Sequence, residues 1–131
     1  MPNFSRISKE RLSSCHPILQ SLFNEVIKHR DCSVICGYRG KEEQEKAFSE
    51  GKSKAHFGDS KHNYSPSLAV DVMPFPIQWN DKNGIMDFAD FVKDTAFKLG
   101  IGIRWGGDFS NFFDGPHYEL TGTYTESKVT E

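Results

Sequence analysis

Residues 68–73, LAVDVM, place an aspartate inside a run of apolar and β-branched residues. Such a run predicts a buried strand, where Asp71 is costly unless it is paired, hydrogen-bonded or bound to a metal. A histidine, His62, lies nine positions earlier, near the end of a long polar segment. Any fold of this chain must therefore give a buried carboxylate its partner.

The rest of the chain mixes helical and strand patterns without regular alternation, and this pattern indicates an α+β fold. Helices are predicted at 17–30, where apolar pairs recur four residues apart, at 40–52, ending near Gly51, and at 85–99, ending at Gly100. Strands are predicted at 33–39, 68–73, 101–105 and 117–120, with loops at 52–66 and 106–116. The last two strands are close enough in sequence to pair antiparallel. We expect one domain over 1–131, with a frayed polar tail at 121–131 and no second domain.

Composition limits the possible partners. The formal net charge is -2 and no long basic run is present, so nucleic acid is not an expected partner. No apolar segment approaches the ~20 residues of a membrane span, and the first residues lack the apolar core of a signal peptide. The chain has three cysteines, Cys15, Cys32 and Cys36, and this odd number predicts that they are free thiols. A monomer that does not insert into membranes is expected.

Polar residues capable of chemistry gather at the predicted strands and loops. Arg39 ends one strand, His62 precedes another, and Asp114, His117 and Glu119 surround the last. Two imidazoles and a carboxylate can hold a catalytic zinc and leave a fourth position for water. Spacing alone leaves open the alternative of separate hydrogen-bonded core residues. It also leaves Asp114 and Glu119 competing for the role of general base.

The motifs together resemble a known enzyme family. They are S-K-H followed by eight residues and D, a distant D-G-P-H-Y-E-L, an upstream G-Y-R-G-K-E-E-Q, and W-G-G-D at 105–108. Over residues 11 to 120 the chain resembles the VanY-like zinc peptidases related to D-alanyl-D-alanine carboxypeptidases. It is most similar to the L-alanyl-D-glutamate peptidases used as phage endolysins. The resemblance implies a hedgehog/DD-peptidase-like α+β fold, with a small antiparallel sheet packed against helices and an open zinc site.

Residue roles follow from this resemblance. It implies that His62, Asp71 and His117 bind Zn²⁺ and that Asp114 is the general base. Arg39 would hold the scissile carbonyl or a substrate carboxylate, since its planar fork suits such oxygens. Supporting or substrate-binding roles are expected for Ser60, Gln44, Trp105 and Glu119, and Glu119 would orient a ligand or Arg39.

One departure from the family pattern concerns the loop between two ligands. The commoner pattern, S-x-H-x-x-G-x-A-x-D, separates His and Asp by seven positions, whereas His62 and Asp71 are nine apart. An insertion of two residues preserves the alternation of a strand, so Asp71 is expected to face the same side as in the shorter pattern.

The expected function is zinc-dependent hydrolysis of the L-alanyl-D-glutamate bond of peptidoglycan by a phage endolysin. The enzyme would have no separate cell-wall-binding domain. It would be made in the host cytoplasm and reach the wall after a separate protein permeabilises the membrane. One alternative is a D,D-carboxypeptidase or dipeptidase that trims D-alanine. Another is a non-catalytic binding module whose structural zinc is closed by Asp114 or Glu119.

Overall fold

The computed structural model describes residues 2–130 and shows an α+β fold, as the sequence predicts. Four α-helices accompany one antiparallel sheet with strand order β1-β2-β4-β3. The helices are α1 (Arg6–Ser13), α2 (Pro17–Ile27), α3 (Lys41–Ser49) and α4 (Lys82–Leu99). The strands are β1 (Cys32–Cys36), β2 (Ala69–Pro74), β3 (Ile103–Trp105) and β4 (His117–Leu120). The predicted antiparallel pairing of the last two strands is confirmed.

One face of the sheet packs against the hydrophobic core and the other carries polar residues. Val70 and Tyr118 are cross-strand partners and fully buried. The Tyr118 ring packs edge-on against Phe23 of α2 and Phe88 of α4, which places the main core on this face. Asp71, one position from Val70, points to the opposite face because side chains alternate along a strand. Because Val70 and Tyr118 are buried on the core face, the Asp71 side chain must point to the other face.

Several boundaries differ from the predicted ones, and one helix was missed. Helix α4 begins at Lys82, three residues before the prediction, because the Asp81 side chain accepts from the Gly84 N–H and caps it. Helix α1 was not predicted, since Ser8 and Leu12 are its only buried members and the segment is otherwise polar. The side chain of Ser5 caps it by accepting from the Ser8 N–H.

The prediction of a frayed tail was wrong for the residues that the structure describes; Glu131 lies outside them. Lys128 and Ser65 exchange backbone hydrogen bonds of 2.8 and 3.2 Å. Glu126 pairs with the buried His16, and Ser127 is buried. The tail is therefore attached to the polar segment that leads into β2.

Two other predictions can be compared with the described chain. Cys15, Cys32 and Cys36 are free thiols, as expected. Over residues 2–130, none of the helices combines the length and apolar character needed to cross a bilayer.

Candidate active site

Three potential metal ligands converge from separate parts of the fold. Asp71 of β2 and His117 of β4 are direct cross-strand partners, so their side chains lie on the same face of the sheet. His62 comes from the 3-10 turn Lys61–Asn63, and its ring lies 5.1 Å from that of His117, centroid to centroid. One nitrogen of each histidine and one oxygen of Asp71 lie within 4.8 Å of one another. The expected grouping of these residues is present despite the longer loop.

Each imidazole is oriented by a hydrogen bond on its outer side. The Nδ1 of His62 lies 2.8 Å from the carbonyl oxygen of Gly37, which can only accept. The Nε2 of His117 lies 2.7 Å from Oε1 of Glu119. Both outer nitrogens therefore carry hydrogen, and in the neutral tautomers the inner nitrogens offer lone pairs toward Asp71. Such outer partners are typical of histidines that bind metals.

The distances from Asp71 to the two histidines fit a zinc ion. Tetrahedral zinc with ligands at about 2.0–2.2 Å separates its donor atoms by about 3.4 Å. Asp71 Oδ1 lies 3.1 Å from Nε2 of His62 and 3.4 Å from Nδ1 of His117. If both imidazoles were neutral, their inner lone pairs would face the negative carboxylate of Asp71 and repel it. A cation or protons must therefore lie between the histidines and Asp71. The donor types, the two separations from Asp71 and the outer partners of the histidines fit a metal.

The electrostatics of the three groups are strongly coupled. Burial opposes ionisation of Asp71, but the two histidines outweigh it and hold the pKa of this carboxyl far below its usual range. Burial likewise lowers the pKa of His62, yet the charge and hydrogen bond of Asp71 raise it to about 10. His117 shows a raised pKa for similar reasons, with Glu119 contributing. Without a metal the cluster retains protons that a metal must displace.

Arg39 and Gln44 form a hydrogen-bonded pair beside the cluster. The Arg39 guanidinium lies 3.5 Å from Oδ2 of Asp71 and donates to Oε1 of Gln44 at 3.1 Å. The Gln44 amide is fully buried and also donates to Ser53 Oγ and to the carbonyl of Ala55. Gln44 thus joins helix α3 to the polar segment and fixes the Arg39 side chain.

Asp114 lies next to the cluster without joining it. Its Oδ2 is 3.8 Å from Nδ1 of His117, and its side chain is partly exposed to the cleft. Burial, and then the negative charge of Asp71, raise the pKa of Asp114. Gly106 permits this approach, because a Cβ there would lie 2.2 Å from the Asp114 carbonyl oxygen. The position suits a group that accepts a proton beside an ion held by the cluster.

Three other predicted residues take supporting positions. Ser60 lines the cleft and accepts from the backbone N–H of His62 at 3.2 Å, which caps the turn. Glu119 orients the His117 ring by accepting a hydrogen bond from its Nε2. Trp105 does not line the cleft; it pairs with Tyr118 on the core face and donates from Nε1 to the Gly115 carbonyl at 2.7 Å. Its contact with the site therefore runs through the loop before His117.

Sequence reasoning missed several residues that build the site. Asn63 is fully buried, donates to Gln44 and to the Arg39 carbonyl, and accepts from Gly58 and Ser60. Lys61 lies 3.5 Å from Oε2 of Glu119. The capping pattern of Ser60 three residues before Asn63 was the one available signal. Gly37 acts only through its backbone and leaves no signal in the side-chain pattern.

The fold and this site define a class of protein with an open cluster of two histidines and a carboxylate on an α+β framework. A family model described as phage L-alanyl-D-glutamate peptidase matches residues 2–121. The chain belongs to this L-alanyl-D-glutamate peptidase family. The resemblance found in the motifs is thereby confirmed.

Named relatives agree with this assignment. The chain is 29% identical to the peptidoglycan L-alanyl-D-glutamate endopeptidase CwlK of Bacillus subtilis, over 82% of this chain and 74% of the relative. The crystal structure of the Serratia marcescens L-Ala D-Glu endopeptidase ChiX matches with a TM-score of 0.78 and 28% identity, covering 92% of this chain and 90% of that one. A mutant of the vancomycin-resistance D,D-pentapeptidase VanY, solved with Zn(II), shares the fold, with a TM-score of 0.53, 22% identity and coverage of 86% and 71%.

Proposed function

We propose that this protein is a zinc-dependent peptidoglycan endopeptidase that hydrolyses the L-alanyl-D-glutamate bond of the stem peptide. The observation that carries the proposal is the cluster of His62, Asp71 and His117, which borders a cleft of about 370 Å³. Membership of the L-alanyl-D-glutamate peptidase family supports the choice of bond. The zinc-bound VanY structure supports the choice of metal for this fold.

The roles of the three ligands follow from their donor atoms. Nε2 of His62, Oδ1 of Asp71 and Nδ1 of His117 would hold the ion. A bound zinc ion supplies an acidic water and polarises the scissile carbonyl. Glu119 and the Gly37 carbonyl keep both rings in the tautomers that this binding requires.

Asp114 is proposed to be the general base. Its carboxylate lies beside His117 and borders the cleft, where it can take a proton from the attacking water. The same group, now protonated, then delivers that proton to the leaving amine. Its raised pKa brings the carboxyl nearer to the pH at which such an exchange is efficient.

Arg39 is proposed to stabilise negative charge that develops on the scissile carbonyl oxygen. Its guanidinium is fixed by Gln44 and Asp71 and borders the same cleft. A cation that is oriented before the reaction stabilises the transition state without reorganising.

Product analysis tests the function directly. Purified peptidoglycan is digested with the zinc-loaded protein and the products are analysed by mass spectrometry. New amino-terminal D-glutamate is expected. Released D-alanine without new amino-terminal D-glutamate would show that the bond is wrong and would favour a carboxypeptidase.

We further propose that the enzyme serves as a phage endolysin that reaches the wall from the host cytoplasm through a separate membrane-permeabilising protein. The description of the matched family as a phage peptidase supports this setting. Expression in a bacterial host is expected to cause lysis only when a membrane-permeabilising protein is expressed with it. Lysis without that protein would contradict the proposed route.

A further inference from the structure

The cleft beside the metal cluster has a cationic lining, and most of these cations have acidic partners. The lining cations are Arg39, Lys52, Lys54, Lys61 and Arg104. Arg39 lies beside Asp71, Lys61 beside Glu119, and Lys52 beside Glu50, each at 3.3–3.5 Å. Neither Arg104 nor Lys54 makes a direct ion pair with a carboxylate of residues 2–130, although the charge of Arg104 contributes to the lowered pKa of Glu119. They are therefore the cations of the lining that can take an anion from a substrate.

Arg104 is on the catalytic face of the sheet. It is the cross-strand partner of Glu119, and directly paired residues of antiparallel strands share a face. Glu119 in turn lies two positions after His117 and contacts its ring nitrogen. Arg104 thus lies one strand away from a proposed metal ligand, on the edge strand β3.

A phenylalanine connects Arg104 to that ligand. The guanidinium carbon lies 4.4 Å from the centre of the Phe109 ring. The centroid of the same Phe109 ring lies 5.5 Å from that of the His117 ring. Stacking on an aromatic face leaves the N–H edge of a guanidinium free in its own plane. Arg104 is therefore held in place while its donors remain available.

The substrate of the proposed function carries a matching group. A glutamyl residue has two carboxyl groups; one continues the chain and the other is free. The free carboxylate of the D-glutamyl residue is therefore only a few bonds from the scissile nitrogen. A planar carboxylate is the ligand that the two-pronged edge of a guanidinium fits.

We propose that Arg104 is a specificity-determining residue that binds the free carboxylate of the D-glutamyl residue on the amine side of the scissile bond. This inference rests on the proposed function and adds the recognition of the acidic residue. Lys54 is the less suitable group, because it lies on the irregular segment before the Lys61–Asn63 turn and offers a point charge.

The test compares two peptides in each protein variant. One contains L-alanyl-D-glutamate with its free carboxylate, and the other carries the carboxamide at that position. The wild type is expected to favour the acid by about 10- to 100-fold in kcat/KM. This is the usual effect of removing one charge from a charged hydrogen bond, as the carboxamide does. Arg104→Gln is expected to bring the ratio near one, mainly through KM for the acid, and Arg104→Lys to give an intermediate ratio.

Controls separate this local effect from general electrostatics and from misfolding. Arg30→Gln removes an exposed charge that pairs with Asp87 outside the cleft, and it should keep the wild-type ratio. The ratio for one protein sample does not depend on the fraction of active molecules, so partial unfolding of a variant does not alter it.

Each outcome decides the inference. A wild type that cleaves both peptides equally, or an Arg104→Gln variant that retains the wild-type ratio, would overturn it while leaving the proposed function intact. The same holds if Lys54→Gln abolishes the preference and Arg104→Gln does not. If the zinc-loaded wild type cleaves neither peptide, the proposed function fails and the inference fails with it.

Discussion

The Glu119 side chain offers the sharpest test of how the metal cluster is organised. Its Oε1 lies 2.7 Å from Nε2 of His117, and this contact directs the other ring nitrogen toward Asp71. Glu119→Ala removes the acceptor without removing a ligand. The His117 ring then loses the bond that selects its tautomer and orientation.

The expected loss is about 10- to 100-fold in zinc affinity, the usual effect of removing such a partner from a metal-binding histidine. That corresponds to about 1.4–2.7 kcal/mol of binding free energy. Glu119→Gln should lose less, because the amide oxygen still accepts from the ring N–H. The side chain of Glu119 is only 12% exposed, so water replaces the lost acceptor poorly.

The assay is competition for zinc with a chromophoric chelator at fixed pH. Glu25→Ala is the matched control, since Glu25 accepts from Nε2 of His29 at 3.1 Å on the exposed side of α2. It should leave zinc affinity unchanged. A Glu119→Ala protein that is folded and binds zinc within twofold of the wild type would refute this account of the His117 tautomer.

Three further changes probe the same site. Asp114→Asn should keep about one zinc per chain and lose about 100- to 10,000-fold in hydrolysis, measured by peptide cleavage and elemental analysis, because the amide takes up no proton; retained hydrolysis would exclude Asp114 as the base. Gly106→Ala should destabilise the fold by about 1–3 kcal/mol in denaturant unfolding, because the new Cβ would lie 2.8 Å from that of His117; unchanged stability would contradict the close packing. In chelator-treated protein, burial lowers the pKa of His62, but Asp71 outweighs it and raises that pKa to about 10. In the unfolded chain the pKa of a histidine is ~6.5. This stabilisation is complete below about pH 6.5 and is lost as the pH rises toward 10, so the melting temperature should fall across that window; a constant value would argue against the ion pair.

The strands that carry the site could be predicted because their signals are local. Residues 117–120 were predicted with the observed bounds, and 68–73 overlap β2 with a shift of one residue. Alternation along β2 was enough to separate Asp71 from its apolar neighbours. The insertion of two residues before it leaves that alternation intact, and Asp71 faces His62 and His117.

Features that depend on distant partners could not be predicted from local patterns. The polar tail has a composition typical of a frayed end, yet Lys128 pairs with Ser65, which lies far away in sequence. Asn63 has the composition of a loop residue, but its buried hydrogen bonds connect Gln44 to the turn. Trp105 follows Arg104 and points to the core because the two alternate along β3; only the register of the sheet reveals that Arg104 is the one facing the site.

The central claim is that His62, Asp71 and His117 hold one zinc ion that is required for hydrolysis. Stepwise addition of zinc to the metal-free protein, with cleavage of an L-alanyl-D-glutamate peptide followed at each step, tests it most directly. We expect activity to rise from near zero and to level off at one equivalent, and His117→Ala to abolish this response while thermal unfolding shows that the variant is folded. Full activity of the metal-free protein, or an unchanged titration in folded His117→Ala, would contradict the claim.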